Sequence, residues 1–284
     1  MNQIKTAVLM AALIGLFIVL GHLAGGVQGA IVAFLFALAL NFATYWWSDK
    51  IVLAMYRAQP VEPGDARQLY AMVERCARNA GIPTPRVYTI PTEMPNAFAT
   101  GRDPQHGAVA ITEGLLALLQ PDEVEGVIAH EVAHIKNRDT LISCVAAAIA
   151  GAISMLAYMA RFAFYFAGSR RDDDNSAGEL VGLLVLSILA PFIAMIIQFA
   201  ISRSREYMAD ALGAKLCGRP LSLANALRKL EMSARAVPSE AEPATAHLFI
   251  VNPLRGGGIM TLFSTHPSTE DRIRRLEEMA AAGV

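Results

Sequence analysis

The chain has 284 residues, of which 54% are hydrophobic and 17% charged, and its formal net charge is −1. Soluble domains usually carry about a quarter charged residues, so this composition excludes an ordinary soluble protein, and it also excludes intrinsic disorder, which needs low hydrophobicity. The near-neutral charge indicates no nucleic-acid partner, and the three widely spaced cysteines indicate neither a disulfide framework nor a thiolate metal site.

The N-terminal part is apolar. No Asp, Glu, Lys or Arg occurs from residue 6 to residue 48, which is too long for one membrane span of about 20 residues. A glycine-containing break at Gly21–Gly26 predicts two spans, near 4–23 and 27–47. Two tryptophans close the second span, where aromatic side chains favour the membrane interface. A cleaved signal peptide is the alternative for the first span, but a second apolar span follows at once.

Residues 49–139 are polar enough to form a soluble part. A helix is predicted over 65–80, and Gly and Pro residues follow it. Three short β-like runs come next, at Val87–Ile90, Ala97–Thr100 and Ala108–Thr112, and turn-forming residues between the last two favour a hairpin.

The strongest chemical signal is the segment His130–His134, which reads His-Glu-Val-Ala-His in a helix predicted to begin at Pro121. Positions i and i+4 share a helix face, so the two imidazoles can hold one zinc ion while Glu131 reaches a zinc-bound water. The neighbouring residues are apolar and predict a buried helix, in which these side chains would be costly without a metal or other partners. Two solvated helix histidines are the alternative.

A third ligand is needed, because zinc hydrolases usually combine three protein ligands with a water. One protease pattern continues the motif with a glycine and a histidine, but here those positions are Asn137 and Thr140. Another pattern takes a glutamate from a later helix, with an aspartate four residues on. Glu206 could then ligate the zinc, and Asp210, on the same face, could accept a hydrogen bond from a ligand histidine. A surface helix with ordinary paired charges is the alternative.

Residues 140–202 contain two further apolar runs, at about 141–167 and 180–202. They predict a membrane-spanning helical hairpin, for a total of about four spans, or a hairpin that is only partly inserted. Basic residues flank the N-terminal spans and place both soluble parts in the cytoplasm, although Arg170 and Arg171 then lie on the far side, against the rule. An antiparallel hairpin would bring the two ligand helices together at the membrane surface.

The C-terminal part, residues 203–284, is predicted to be soluble and helical. Its helices are expected at 203–217, 222–235 and 268–281, with a loop rich in Pro and Gly at 236–258. The chain thus divides into an N-terminal membrane unit (1–48), a soluble part with the histidine motif (49–139), a hairpin (140–202) and the soluble part with the third ligand.

These features together resemble the HtpX-type membrane zinc metalloproteases, which are relatives of the CAAX prenyl proteases. Besides the spans and the histidine motif, the resemblance includes Met94–Gly101, Ser202–Asp210 and Thr265–Ser268. It implies an α-helical membrane protein with a zincin-like α+β metalloprotease domain, in which a small β-sheet supports the active-site helix. It also implies a multi-pass endopeptidase of the bacterial inner membrane, with one zinc per chain and an active site facing the cytoplasm. Its substrates would be misfolded or damaged membrane proteins, cleaved in stress-response quality control.

The resemblance also implies roles for two outlying segments. Asn96, Ala97 and Phe98 would lie at a sheet edge beside the zinc, where substrate backbone adds as a strand. His266 would point into the cleft and stabilise the oxyanion, and Arg272 is a further candidate for that role. An ordinary hairpin strand and a loop histidine are the alternatives.

Zinc chemistry predicts that Glu131 takes a proton from the attacking water and passes it to the leaving amine, without a covalent intermediate. Two other functions stay open. A true intramembrane protease would place the His-Glu pair inside an apolar span, whereas charged residues flank it here. A non-catalytic membrane scaffold or metal-binding protein would have no use for Glu131. Polypeptides and the lipid bilayer are the expected partners, and no oligomeric state is indicated.

Overall fold

A computed structural model describes residues 2–147, 149, 203–236, 248–251 and 267–283. Most of the third predicted span, the whole of the fourth, most of the predicted loop at 236–258, and His266 lie outside the described residues.

The described residues form helices and one small sheet. The helices are α1 (Asn2–Met55), α2 (Arg67–Ala80), α3 (Glu113–Leu118), α4 (Pro121–Lys136), α5 (Arg203–Cys217), α6 (Pro220–Ala236) and α7 (Thr269–Ala281). The strands are β1 (Gln59–Pro60), β2 (Arg86–Ile90), β3 (Ala97–Thr100) and β4 (Ala108–Thr112). Residues 140–147 are also helical.

The long helix α1 consists of two apolar arms joined at a sharp kink. Gly25 and Gly26 have non-helical backbone angles, and the φ of 59° at Gly26 is a conformation that glycine adopts without strain. The arms then run back along each other so closely that a Cβ added at Gly21 would lie 2.4 Å from the carbonyl oxygen of Gly29. The break predicted at Gly21–Gly26 is therefore confirmed.

The second arm has the properties of a membrane helix. Among the described residues, Gly25–Met55 is long and apolar enough to cross a membrane, and Ile4–Val19 is a shorter apolar helix. Most of its large apolar side chains are exposed, which indicates a lipid environment because soluble proteins rarely expose such a surface. Arg102, in the turn between β3 and β4, lies over the Trp46 ring, 5.0 Å from its centroid. This contact joins the soluble part to the membrane end of α1.

The four strands form one mixed sheet of order β1-β2-β4-β3. β2 and β4 pair in parallel, and the other two pairs are antiparallel. The hairpin predicted between the second and third β-like runs is confirmed, with Thr100 opposite Ala108. As far as the chain is described, β3 lies at one edge of the sheet.

Alternate sheet residues face two separate cores. Val109 of β4 packs with the side chains of α2 and α4, whereas Ala110 faces the other way and packs with Val52 of α1 and Cys144. Full burial of an aliphatic side chain contributes ~1.5–3 kcal/mol, so each core fixes its helices firmly to the sheet. The same sheet therefore carries the motif helix on one face and the helices next to the predicted membrane spans on the other.

Helix α4 is packed between α2, α5 and α6, so both predicted soluble parts contribute to a single core. A glycine makes the contact with α5 unusually close. A Cβ added at Gly213 would lie 2.9 Å from both the backbone nitrogen and the Cα of His130. This close approach brings Glu206 and Asp210 of α5 to the histidines of α4.

Candidate metal centre

Helix α4 holds its histidines on a buried face. Pro121 occupies the first turn, and the Gln120 backbone N–H donates to Glu123 Oε2 at 2.8 Å, which caps the helix. Val127 and Val132 are fully buried in the core, so rotation of the helix about its own axis would expose them to solvent. His130, only 1% exposed, is thereby held facing α5.

Three possible ligand atoms converge where α4 meets α5. The Nε2 atoms of His130 and His134 are 3.1 Å apart. Glu206 places Oε2 at 3.8 Å from the first of these nitrogens and Oε1 at 3.6 Å from the second. Ligands bound at zinc's usual distances in a tetrahedron lie about 3.3 Å from one another, so the separations within this triangle of three side chains are close to those of a zinc site. The described part of the chain offers this one group as a metal site.

Each histidine turns its other ring nitrogen towards a carboxylate. His130 Nδ1 lies 2.9 Å from Asp210 Oδ1, and His134 Nδ1 lies 3.2 Å from Asp139 Oδ2. A proton held on Nδ1 leaves the lone pair on Nε2, which is the form of imidazole that binds a metal. The structure places Asp210, the predicted acceptor from a ligand histidine, within ion-pair distance of His130 Nδ1, and the hydrogen bond itself stays a prediction. The contact between Asp139 and His134 was not predicted from the sequence.

Asp210 is itself held by a buried arginine. Arg272 donates from Nε and Nη2 to the two oxygens of Asp210, each at 2.8 Å, and from Nη1 to the Ile250 carbonyl at 2.7 Å. Burial alone would raise the pKa of Asp210, but the Arg272 guanidinium lowers it to about 2. Arg272, suggested from the resemblance as an oxyanion group, thus contacts the carboxylate behind His130.

The charges around the histidines favour a cation. Four buried carboxylates and two buried guanidinium groups surround them, so negative charge is in excess and a divalent cation would offset it. These groups are Glu131, Asp139, Glu206 and Asp210, with Arg205 and Arg272.

Glu131 lines a cavity of about 50 Å³ in front of the ligand triangle. Its burial raises the pKa of the carboxyl group, and Glu206 raises it further, whereas both histidines and the backbone N–H of Ala99 act in the opposite direction. The apolar wall of this cavity is formed by Phe98 and Ala99 of β3 and by residues 248–250.

The residues predicted to bind substrate occupy different places. Phe98 lines the cavity, and Ala97 packs in the core that the sheet shares with α2 and α4. Asn96 is buried, and its Oδ1 accepts a hydrogen bond from the Ile250 N–H at 3.2 Å. Asn96 therefore fixes the segment 248–251, which sequence reasoning missed because it lies in a predicted loop, far along the chain from β3.

Comparisons with known proteins bear on this geometry. Residues 63–280 match the family described as Peptidase family M48. The chain belongs to this family. This M48 peptidase is 58% identical to a "Protease HtpX homolog" of Persephonella marina, covering 99% of this chain and 98% of that protein. It is 54% identical to a protein of the same name from Sulfurihydrogenibium sp., covering 98% and 96% of the two chains.

Among solved structures, Ste24p of S. mikatae is similar at a TM-score of 0.49 and 19% identity. The match covers 97% of this M48 peptidase and 65% of that chain. The M48 peptidase thus spans about two thirds of the Ste24p chain.

Family membership confirms the predicted enzyme class, a membrane metalloprotease that acts on polypeptides. It also confirms the fold class, in which a largely helical chain carries a small sheet and a metalloprotease motif helix. The His130, His134 and Glu206 cluster fits the zinc dependence of such a protease.

Proposed function

We propose that this M48 peptidase is a zinc endopeptidase that holds one zinc ion through His130, His134 and Glu206. The observation that carries the proposal is the convergence of these side chains: the two histidine Nε2 atoms are 3.1 Å apart, and the two carboxylate oxygens of Glu206 lie 3.6 and 3.8 Å from them. The carboxylate at Nδ1 of each histidine supports it, because both tautomers are then set for metal binding. When bound, zinc lowers the pKa of its water towards ~7 and polarises the peptide carbonyl.

The chain's own residues then move the proton. Glu131 accepts a proton from the attacking water and donates it to the leaving amine, and its raised pKa suits both steps. Substrate backbone binds along the edge strand at Asn96, Ala97 and Phe98. His266 stabilises the oxyanion in this proposal.

The proposed setting is the bacterial inner membrane, in which the chain is multi-pass with its active site facing the cytoplasm. The apolar arms of α1 and their attachment to the sheet support this setting. Misfolded or damaged membrane proteins are the proposed substrates, in stress-response quality control. The high identity to proteins named Protease HtpX homolog supports this role.

Glu131→Gln tests the mechanism because it removes the base but keeps the size of the side chain. General-base assistance is worth about 10²–10⁴-fold in rate, so proteolysis of an unfolded membrane protein should fall by at least ~100-fold. Zinc content, measured by elemental analysis of the purified protein, should stay at one per chain. Full activity of this variant with purified substrate would refute the mechanism.

Glu206→Ala tests the metal site in the same preparation. The variant should lose most of its zinc, because it removes one of three protein ligands. Glu231→Ala is the matched control, since this acid lies on α6 and pairs with Arg235. If Glu206→Ala retains a full zinc ion, the third-ligand assignment is wrong.

A further inference from the structure

Asp139 lies against His134 although it is not on the same helix face. Its carboxylate is buried, with Oδ2 3.2 Å from His134 Nδ1. In a continuous helix, a residue five positions on would point about 140° away around the axis and could not reach the imidazole. The end of α4 must therefore change direction to produce this contact.

The change of direction is a Schellman motif with an unusual residue in it. Asp139 N–H donates to the His134 carbonyl at 3.0 Å, and Arg138 N–H donates to the Ile135 carbonyl at 3.1 Å. The second of these two donors, just after the helix cap, is usually glycine in this motif, because it takes a left-handed conformation. Here it is Arg138, with φ 57°. A non-glycine residue in this conformation costs about 1–2 kcal/mol, and such strain tends to occur at functional sites.

The motif makes Asp139 contact His134 twice, once through the backbone and once through the side chain. The neighbouring residues hold it from the other sides. Thr140 Oγ1 donates to the Gly101 carbonyl at 2.7 Å, and Arg205 Nη1 lies 3.9 Å from Asp139 Oδ1. Thr140 therefore ties this segment to the β3–β4 turn, while the carboxylate lies at hydrogen-bonding distance from His134 and forms a longer ion pair with Arg205 of α5.

We propose that Asp139 is a positioning residue that holds His134 in the tautomer and orientation for metal binding, and that the left-handed turn at Arg138 places it there. This inference rests on the proposed zinc site. It gives each of the two ligand histidines its own carboxylate, one from α5 and one from the turn that ends α4. Carboxylate partners of this kind are typically worth about 10–100-fold in metal affinity.

The first experiment measures zinc affinity of the full chain in detergent by competition with a chelator. Asp139→Ala should bind zinc about 10–100-fold more weakly. Asp139→Asn keeps an oxygen that accepts from Nδ1 and should recover most of the loss. Asn137→Ala is the matched control, because this exposed side chain belongs to the same turn and its backbone bonds are kept. The control should bind zinc as the parent protein does.

The visible absorption spectrum of a cobalt-loaded sample is a second measurement, and a general loss of stability would not shift its bands. The visible absorption of Co²⁺ depends on the identity and geometry of its ligands. Asp139→Ala should shift these bands, whereas Asn137→Ala should leave them unchanged. Unchanged bands together with unchanged zinc affinity in Asp139→Ala would overturn the inference.

A pair of substitutions at Arg138 tests the turn while Asp139 stays in place. Arg138→Gly permits the left-handed conformation, so zinc affinity should be maintained. Arg138→Val opposes it, because β-branched residues strongly disfavour positive φ, and should weaken zinc binding as Asp139→Ala does. Equal affinity in the two variants would overturn the role of the turn, even if Asp139→Ala did not fold.

His134→Ala separates this inference from the proposed function. If His134→Ala binds zinc as tightly as the parent protein, the proposed metal site itself is wrong. If His134→Ala loses zinc while Asp139→Ala retains parental affinity, the metal site stands and the positioning role of Asp139 is wrong.

Discussion

In the proposed zinc site, a proton and the metal ion compete for the imidazole of His134. Burial alone would lower its pKa, but Glu206 and Asp139 raise it to about 9 in the metal-free protein. A metal ligand must be deprotonated, so binding at this site has to expel that proton.

Zinc uptake should therefore release a proton from His134 at pH 7, and the affinity should increase with pH up to about 9. Calorimetric titration of the metal-free protein in two buffers of different ionisation enthalpy measures the number of protons released. A value near zero at pH 7 would contradict this prediction.

The raised pKa of His134 also makes the stability of the metal-free fold depend on pH. A folded-state pKa of about 9, above the ordinary 6.5, means that the bound proton stabilises the metal-free fold fully below pH 6.5. That contribution is lost as the pH rises through 9. Thermal unfolding of the metal-free protein should consequently occur at a lower temperature at pH 9 than at pH 6.5, with a smaller difference in the zinc-loaded protein.

Arg272 and Asp210 form a buried ion pair. Arg272→Leu should lower the free energy of unfolding by about 3–5 kcal/mol, because Asp210 would remain as a buried charge without its partner. Arg274→Leu on the same helix is the control. Its side chain is exposed and pairs only at the surface, so the change should be much smaller than that of Arg272→Leu. Chemical unfolding in detergent measures both, and equal effects would refute the assignment.

At the residue scale, the sequence predicted contacts that follow helical spacing. His130 and His134, like Glu206 and Asp210, are four apart, and i,i+4 residues share a face in any helix. Asp139 could not be found this way, because its contact depends on a left-handed backbone that arginine rarely adopts. The sequence signal that could have indicated this contact is an aspartate three residues after the end of the motif helix.

At the scale of elements, the metal centre depends on how closely α4 and α5 approach each other. The contact at Gly213 leaves no room for a side chain, because the atoms it would meet belong to the backbone of His130. Backbone atoms cannot move aside as a flexible side chain can, so α5 would have to shift as a whole.

Gly213→Ala should weaken zinc binding because the shift of α5 moves Glu206 away from both histidines. Overpacking of this kind typically costs about 1–3 kcal/mol of stability as well. Gly126→Ala is the matched control, since its Cβ would lie 2.9 Å from the backbone nitrogen of Leu223 in α6, not from α5. Both variants should be destabilised, but the larger loss of zinc affinity belongs to Gly213→Ala. Equal affinities by chelator competition would contradict this.

The element bounds were largely predictable because they follow local signals. The runs Ala97–Thr100 and Ala108–Thr112 were found with their bounds. Ser268, where the last helix was predicted to begin, caps α7 by accepting from the Asp271 N–H at 3.1 Å. The parallel pairing of β2 with β4 was not predicted, because it joins segments that are separated by another strand. Strand β1 has two residues, too few for an alternating pattern.

At the scale of the whole molecule, the sheet joins the membrane helix to the metal centre. Arg86 of β2 donates to Asp49 at 2.7 Å, and Val52 and Leu53 of α1 are buried against the sheet. Helix α4 packs on the opposite face of the sheet, and α5 packs against α4. The distance between α1 and the proposed metal centre is thus set by packed elements and not by a flexible linker.

The contact between α4 and α5 requires both soluble parts to lie on one side of the membrane. Single cysteines replacing the exposed Arg78 and Arg235 should react with a membrane-impermeant maleimide from the same, cytoplasmic side. A cysteine replacing Asp173 should react from the other side, or be shielded if the hairpin is only partly inserted. Labelling of Arg78→Cys and Arg235→Cys from opposite sides would contradict the whole arrangement.

The residues that support His130 are synthesised after it, because proteins are made from the N-terminus. Arg272, which holds Asp210 behind this histidine, follows His130 by 142 residues. At roughly 5–20 residues per second, a ribosome needs on the order of ten seconds to cover that interval. During this time α1 and the motif helix already exist, but the metal centre lacks its buried arginine. Translation thus supplies the last buried side chain of the proposed metal centre only after the motif helix has been synthesised.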